Sequence, residues 1–294
     1  MQNSKCAFVA IIGAPNAGKS TLLNALVGEK ISIVSPKIQT TRRQIHGIME
    51  VGGVQLIFID TPGFCKPKTP LEKVIFANFK NSYKDCDIVL LLIDSTLKDI
   101  SPDVKILERL SNDAIVAVVL NKVDIAKKEN IARIASNLSK YEFVKHFFMI
   151  SALKQDGIDE VRQFLCNSAP DGHWWYEANK ATDLPITIRL AEITREKLFY
   201  HLDKELPYSV YVETENIHET DKKARIHQSI VVMKSSQKGI ILGKAGSMIK
   251  KIKYEAINDM KVLLNKKIDL RLFVKVKEKW TEKKEHLQNA GIID

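Results

Sequence analysis

Cysteine is scarce in this chain and never paired: Cys6, Cys65, Cys86 and Cys166 stand far apart, with no CxxC among them. That spacing excludes a disulfide framework and a cysteine-built zinc site, and it points to a reducing compartment. Long apolar runs are also lacking. None approaches the roughly 20 residues of a membrane span, and the run from Ala7 to Ile12 is too short for a secretory leader. Internal repeats and low-complexity tracts are absent. Aromatics make up only 7% of the residues, and Trp174, Trp175 and Trp280 read as packing residues rather than stacking platforms for bases. The expectation is a soluble protein. Its 294 residues, 45% of them apolar, suffice for one large domain or two ordinary ones.

Charge is plentiful and unevenly placed. The net excess is +10, and residues 233–284 alone carry 15 Lys+Arg against 5 Asp+Glu, a surplus of 10. A solvated, lysine-rich surface is the plainer explanation for such a stretch. Its own hydrophobic periodicity favours a surface for a polyanion.

The first half alternates two patterns. Short apolar runs ending at polar or glycine-bearing turns (8–13, 54–59, 88–93, 115–120, 147–150) predict buried parallel strands. Helical periodicity lies between them (19–27, 70–83, 102–110, 127–138, 157–165). This is the signature of an α/β domain with a mostly parallel sheet, here spanning 1–170. Residues 171–186, with two Trp and little periodicity, read as a linker. From 187 to 294 the order becomes helix (191–201), strand (209–214), strand (227–233), a helix pair broken at 243–246, strand (269–275) and helix (279–288), an α+β domain.

Gly13-Ala14-Pro15-Asn16-Ala17-Gly18-Lys19-Ser20-Thr21 lies between a predicted strand and helix, the context that gives a Gly-x4-Gly-Lys-Ser match its meaning. Backbone N–H groups curl around a phosphate chain there and the helix start faces it. Lys19 reaches the outer phosphates, and the Ser20 hydroxyl is placed to ligate Mg2+. Three further groups sit at strand C-termini, where open α/β sheets bind ligands. Asp60-Thr61-Pro62-Gly63 offers a carboxylate for the magnesium hydration shell and an N–H for a γ-phosphate. In Asn121-Lys122-Val123-Asp124, Asp124 can accept both the N1–H and the 2-amino group of guanine, Asn121 can bond the O6 side, and the Lys122 stem can cover the base. At Ser151-Ala152 a backbone N–H can meet O6. Four motifs in this order specify a guanine nucleotide. Thr40 and Thr41, in the loop before Asp60, both qualify to complete the metal shell and lock a mobile loop while γ-phosphate is present.

These motifs together, with the QTTR loop, resemble the Era/TrmE-type small GTPase family of bacteria. The resemblance implies that Thr41, second of the pair, is the magnesium ligand. It also implies that Asn16 helps bind K+ in place of an arginine finger; as a residue alone, Asn16 is equally a turn-former after Pro15. Phe64 stands where Ras-like proteins have a water-orienting glutamine, so intrinsic hydrolysis should be slow unless another group supplies charge.

Gly243-Lys244-Ala245-Gly246 is a second Gly-Lys loop, but no Ser or Thr follows the lysine and no Asp-bearing strand comes after it. The helix behind it is amphipathic (Ile249, Ile252, Ala256, Met260, Leu263) and carries Lys250 and Lys251 on its flank. The element order resembles a type II KH domain, in which the two glycines let an RNA backbone pass close and the basic residue between them meets phosphate. A helix corner that needs two glycines is the structural alternative. With this second half included, the likeness to the Era branch extends over essentially the full length. It implies a GTPase that binds small-subunit 16S rRNA near its 3′ end, assists 30S maturation, acts as a monomer in the cytoplasm and has a peripheral inner-membrane fraction. The rivals are a GTP-gated adaptor on anionic lipid and an RNA-modification partner of the TrmE kind.

Overall fold

A computed structural model of the chain describes residues 4–35, 37, 41–61, 71, 73–74, 83, 85–110, 114–290 and 292–293. The chain divides into two compact units, the first holding the bulk of the residues up to Asp183 and the second those from Leu184 on.

The first unit is a six-stranded sheet in the order β2-β3-β1-β4-β5-β6. Its strands are β1 (Lys5–Ile12), β2 (Ile45–Val51), β3 (Val54–Asp60), β4 (Ile88–Asp94), β5 (Ile115–Asn121) and β6 (His146–Met149). All neighbours are parallel except β2, which pairs antiparallel with β3. Every residue of β3 and β4 is buried, as strands covered on both faces require. Each Leu, Ile or Val so enclosed contributes about 1.5–3 kcal/mol, so the centre of this sheet is the firmest part of the unit. The helices are α1 (Lys19–Val27), α2 (Ser101–Leu107), α3 (Lys128–Leu138) and α4 (Ile158–Ser168). The Arg162 guanidinium of α4 donates to the Leu26 carbonyl at 3.2 Å and also to the Ala25 carbonyl. A cation thereby meets the negative end of α1 and fixes the helix that carries Lys19.

β2 is absent from the expected strands. Its sequence is interrupted by His46, Gly47 and Glu50, and its last residue is exposed, so it lacks the continuous apolar run of its neighbours. The expected helix at 70–83 lies almost wholly outside the described residues. The segment expected as a linker is bound to the first unit as far as Asp183. The Ile48 N–H donates to the Ala181 carbonyl at 2.8 Å, and Thr182 Oγ1 donates to the His46 carbonyl at 2.7 Å. Buried Gln55 accepts from the N–H groups of Trp175 and Tyr176 at 2.9 and 3.1 Å and donates to the Tyr176 carbonyl at 2.9 Å. His46 Nδ1 lies 2.7 Å from Asp183 Oδ2, and Trp175 meets the Phe8 ring edge-on.

The second unit starts with α5 (Ile186–His201) and continues with β7 (Tyr211–Glu219), β8 (Lys223–Val232), α6 (Ser235–Leu242), α7 (Ser247–Leu264) and β9 (Lys267–Val276). β7 and β8 are antiparallel and β8 and β9 parallel, so α6 and α7 form the crossover that a parallel pair demands. Leu190, Leu198, Ile226, Ile230, Ile252 and Met260 fill the space between sheet and helices. The expected helix 279–288 is instead a 3₁₀ turn (Trp280–Glu282) followed by α8 (Lys284–Asn289), because Lys279 takes a left-handed φ of 52°. Trp280 is fully buried against Tyr211, with its ring N–H on the Ser209 carbonyl at 3.0 Å, a packing role.

Candidate functional site

β1 delivers the chain to Gly13, whose φ is 147°; a Cβ there would lie 2.2 Å from the Leu92 carbonyl oxygen. Only glycine lets the loop turn so close to β4. The loop 13–18 then closes over the start of α1. Lys19 is buried and its ammonium donates to the carbonyls of Gly13 at 3.1 Å and Ala14 at 2.9 Å, which holds the cation inside the loop that would face phosphate. Asn16 holds a left-handed φ of 63°.

Asn121, expected at the guanine O6 side, also ties two loops together. Its Nδ2 donates to the Ala17 carbonyl at 2.8 Å, and its Oδ1 accepts the Ala152 N–H at 3.0 Å. Of the two N–H groups at Ser151-Ala152 expected to offer one to O6, that of Ala152 is engaged by Asn121. Lys122, at a φ of 64°, ion-pairs with Asp94 at 2.5 Å, which holds its stem in place. Asp124 is exposed and makes no hydrogen bond among the described residues, so both its carboxylate oxygens remain available to a ligand. Val123 closes the turn through its N–H to the Ile150 carbonyl at 3.2 Å. A cavity of about 280 Å3 opens beside these loops, lined by Thr21, Asn24, Gly28, Lys30, Ala152 and Leu153.

Three hydroxyls converge on one oxygen of Asp60. Ser20 Oγ donates to Oδ2 at 2.9 Å, Thr41 Oγ1 at 3.3 Å and Ser32 Oγ at 2.9 Å. Asp60 is fully enclosed, and among the described residues its Oδ1 has no partner. Burial pushes its pKa up, against the pull of Lys19 and the three hydroxyls. A carboxylate with one oxygen among three hydroxyls and the other unpartnered among the described residues is a set of hard oxygen donors, and it fits a small divalent cation. The structure brings Ser20 and Asp60 of the motifs together with Thr41, the threonine that the resemblance implies, and adds Ser32. Thr61 is buried with its hydroxyl on the Ile11 carbonyl at 3.0 Å. Thr40, Pro62, Gly63 and Phe64 lie outside the described residues, and Pro15 sits part-exposed at the turn.

In the second unit the two loop glycines differ. A Cβ on Gly243 (φ 71°) would sit 2.7 Å from Met248 Cβ and 2.8 Å from its backbone nitrogen. At Gly246 (φ 75°) it would meet only Lys250 Cε at 3.9 Å. Gly243 is therefore needed by the fold, while Gly246 leaves open space above the start of α7. Lys244, Ala245, Lys250 and Lys251 are exposed around that space. The N-terminus of an 18-residue helix and these ammonium groups make a local anion site.

A P-loop, an Asp-bearing strand end and an Asn-Lys-x-Asp loop on one sheet, followed by an α-β-β-α-GxxG-α-β unit, define a P-loop GTPase with a KH domain. Comparison with known proteins gives the same two halves: a family described as 50S ribosome-binding GTPase matches residues 8–122, and a KH domain matches residues 205–281. GTPase Era of Rhizobium meliloti (strain 1021) is 43% identical over 292 residues, covering 98% of this chain and 93% of the relative. GTPase Era of Ehrlichia ruminantium (strain Welgevonden) is 45% identical over 279 residues, 94% of each chain. Two solved structures superpose over 99% of the chain at 33% identity: an Aquifex aeolicus Era variant bound to GDP and aluminium fluoride (TM-score 0.92), and Era in complex with MgGDPNP and nucleotides 1506–1542 of 16S ribosomal RNA (TM-score 0.91). The chain belongs to the Era family of GTPases.

Proposed function

We propose that this GTPase binds small-subunit ribosomal RNA near the 3′ end of 16S through the loop at 243–246 and assists maturation of the 30S subunit, using Mg2+ with GTP. The observation that carries the reading is the presence in one chain of a complete P-loop site and an open, lysine-flanked GxxG loop, in an order shared over 99% of the length with an Era bound to MgGDPNP and 16S RNA.

In the nucleotide site, Lys19 exchanges the Gly13 and Ala14 carbonyls for the outer phosphates, and Asp124 reads the guanine N1–H and 2-amino group. Asn121 holds the phosphate loop and the Ser151-Ala152 turn in register, so that base and phosphates are met together. Ser20 and Thr41 supply hydroxyl ligands to the cation, and Asp60 acts on it through water. When bound, Mg2+ neutralises charge on the β- and γ-phosphate oxygens. Because Phe64 has no group to orient water, K+ held with the help of Asn16 is the proposed source of the missing charge.

In the KH loop, phosphates approach over Gly246 and pair with Lys244, Lys250 and Lys251. The described residues of both sites come from one chain, which supports a monomer. No helix among the described residues is long and apolar enough to cross a membrane. A cytoplasmic location follows from the proposed substrate, and a peripheral inner-membrane fraction rests on the family resemblance and the basic charge.

Crosslinking of the GTP-loaded protein to total RNA, followed by sequencing of the bound fragments, tests the reading. Fragments should gather at the 3′ end of 16S rRNA. An even spread over all RNAs, or release from particles by detergent rather than ribonuclease, would count for the lipid-surface alternative.

A further inference from the structure

Ser32 belongs to none of the four nucleotide motifs, yet it is 1% exposed and its Oγ donates to Asp60 Oδ2 at 2.9 Å. What places it there is Asn24. That residue stands one helical turn beyond Ser20 on α1, so the two side chains share a face. Asn24 Oδ1 accepts the N–H groups of Ile31 at 2.8 Å and Ser32 at 2.9 Å, and its Nδ2 donates to the Ser32 carbonyl at 2.8 Å. Three hydrogen bonds to two consecutive residues fix the chain that leaves α1, and with it the direction of the Ser32 hydroxyl. An aspartate at 24 would keep the acceptor and lose the donor; an alanine would lose both.

The three hydroxyls on Asp60 are not equivalent. Those of Ser20 and Thr41 are the proposed cation ligands, and the Thr41 bond is the longest of the three at 3.3 Å. Ser32 is held by a helix side chain, independently of nucleotide and cation. Its bond holds Oδ2, the oxygen on which the Ser20 and Thr41 hydroxyls also converge, and so fixes the carboxylate oxygen that faces the proposed cation ligands.

We infer that Ser32, carried by Asn24, is a positioning residue for Asp60: it fixes the carboxylate oxygen that faces Ser20 and Thr41, so that this oxygen stays aimed at the cation's water, and so sets divalent-cation affinity. This rests on the proposed metal role of Ser20, Thr41 and Asp60. The device works through geometry alone, and it predicts a defect in cation affinity with nucleotide contacts intact.

The test follows release of a fluorescent GDP from the full chain as Mg2+ is titrated, and again in excess chelator. In Ser32→Ala the Mg2+ concentration needed for half-maximal retention of GDP should rise about tenfold, the worth of one hydrogen bond to a charged group. Release in chelator should match wild type, because no nucleotide contact is lost. Ser32→Thr should restore the wild-type midpoint, and Asn24→Ala should shift it in the same direction as Ser32→Ala. A folded Ser32→Ala protein with an unshifted midpoint overturns the inference and leaves the metal site standing. So does an equal acceleration with and without Mg2+, which marks a merely structural residue. Wild-type release indifferent to Mg2+ would overturn the metal reading itself, and the inference with it.

Discussion

The N–H of Ala14 donates to Oδ1 of Asp103 at 3.0 Å across 89 positions of sequence. Ala14 is thus held from both sides, its carbonyl by Lys19 and its N–H by a carboxylate from the first turn of α2. Asp103 is 1% exposed and its Oδ2 has no partner among the described residues. Burial first, and then the charge of Asp94, push its pKa up to about 6, while the Ala14 hydrogen bond and Lys19 pull the other way.

A stability prediction follows from that carboxyl. Its folded pKa lies above the unfolded value, so from roughly pH 4 to 6 the native state binds more protons than the unfolded state. The contribution of this group to stability therefore falls as pH rises through that window. Asp103→Asn keeps an oxygen for the Ala14 N–H and removes the charge. Urea unfolding should find it more stable than wild type at about pH 8, by on the order of 1–3 kcal/mol, and the gap should shrink below about pH 6 and close near about pH 4. Parallel curves for the two proteins across that range would show that the carboxyl carries no such cost.

Asp124 and Asn121 should fail in different ways. Asp124→Asn leaves guanine donors unpaired, so GTP binding should weaken by about 2–5 kcal/mol while xanthosine triphosphate improves. Asn121→Ala cuts the tie between the Ala17 carbonyl and the Ala152 N–H, so it should weaken both nucleotides alike. Calorimetric affinities for the two nucleotides check this; a base-selective Asn121→Ala would return that residue to the O6 edge.

The two KH glycines give a matched pair of variants. Gly246→Asp finds open space and a left-handed φ that aspartate tolerates, so the fold should hold while RNA binding is lost to crowding and like charge. Gly243→Ala collides with Met248 and should lower the melting temperature of the unit. Lys244→Ala removes one phosphate contact, lowering the salt slope of single-stranded RNA binding by about 0.7. Unchanged RNA affinity in a folded Gly246→Asp protein would reduce the loop to a structural corner.

Potassium dependence can be read directly. GTP turnover should slow when K+ is replaced by Na+, and Asn16→Gly, which keeps the left-handed backbone but lacks the amide, should lose that sensitivity. Phe64→Ala should matter far less than Lys19→Ala or Asp60→Ala. Equal wild-type rates in the two salts would remove Asn16 from the mechanism.

What the sequence made legible, and what it hid, divides along one physical line. The P-loop, Asp60, Asp124 and the GxxG corner are local: their chemistry needs fixed residue types a few positions apart at a strand end or helix start. Ser32, Asn24, Asp94 and Asp103 are ordinary polar residues whose roles come from contacts 8 to 89 positions away. No spacing rule singles them out. The same holds for the fold. β3 and β4 announce themselves by their apolar runs, whereas β2 is broken by His46, Gly47 and Glu50 and reads as loop. The stretch 171–183 has the composition of a linker because its bonds are made by backbone groups, by Gln55 and by single aromatic contacts, none of which leaves a periodic pattern.

That stretch determines where the GTPase unit can be cut. A fragment ending at residue 170 would contain every nucleotide motif, yet it would strip the outer side of β2, leave Gln55 without the chain that satisfies it and bare the ring of Phe8. An uncovered strand edge of this kind pairs with another copy. Expressed alone, such a fragment should self-associate, while one ending after Asp183 should remain monodisperse in light scattering. The shortest self-sufficient enzyme is therefore longer than the last residue that touches its substrate.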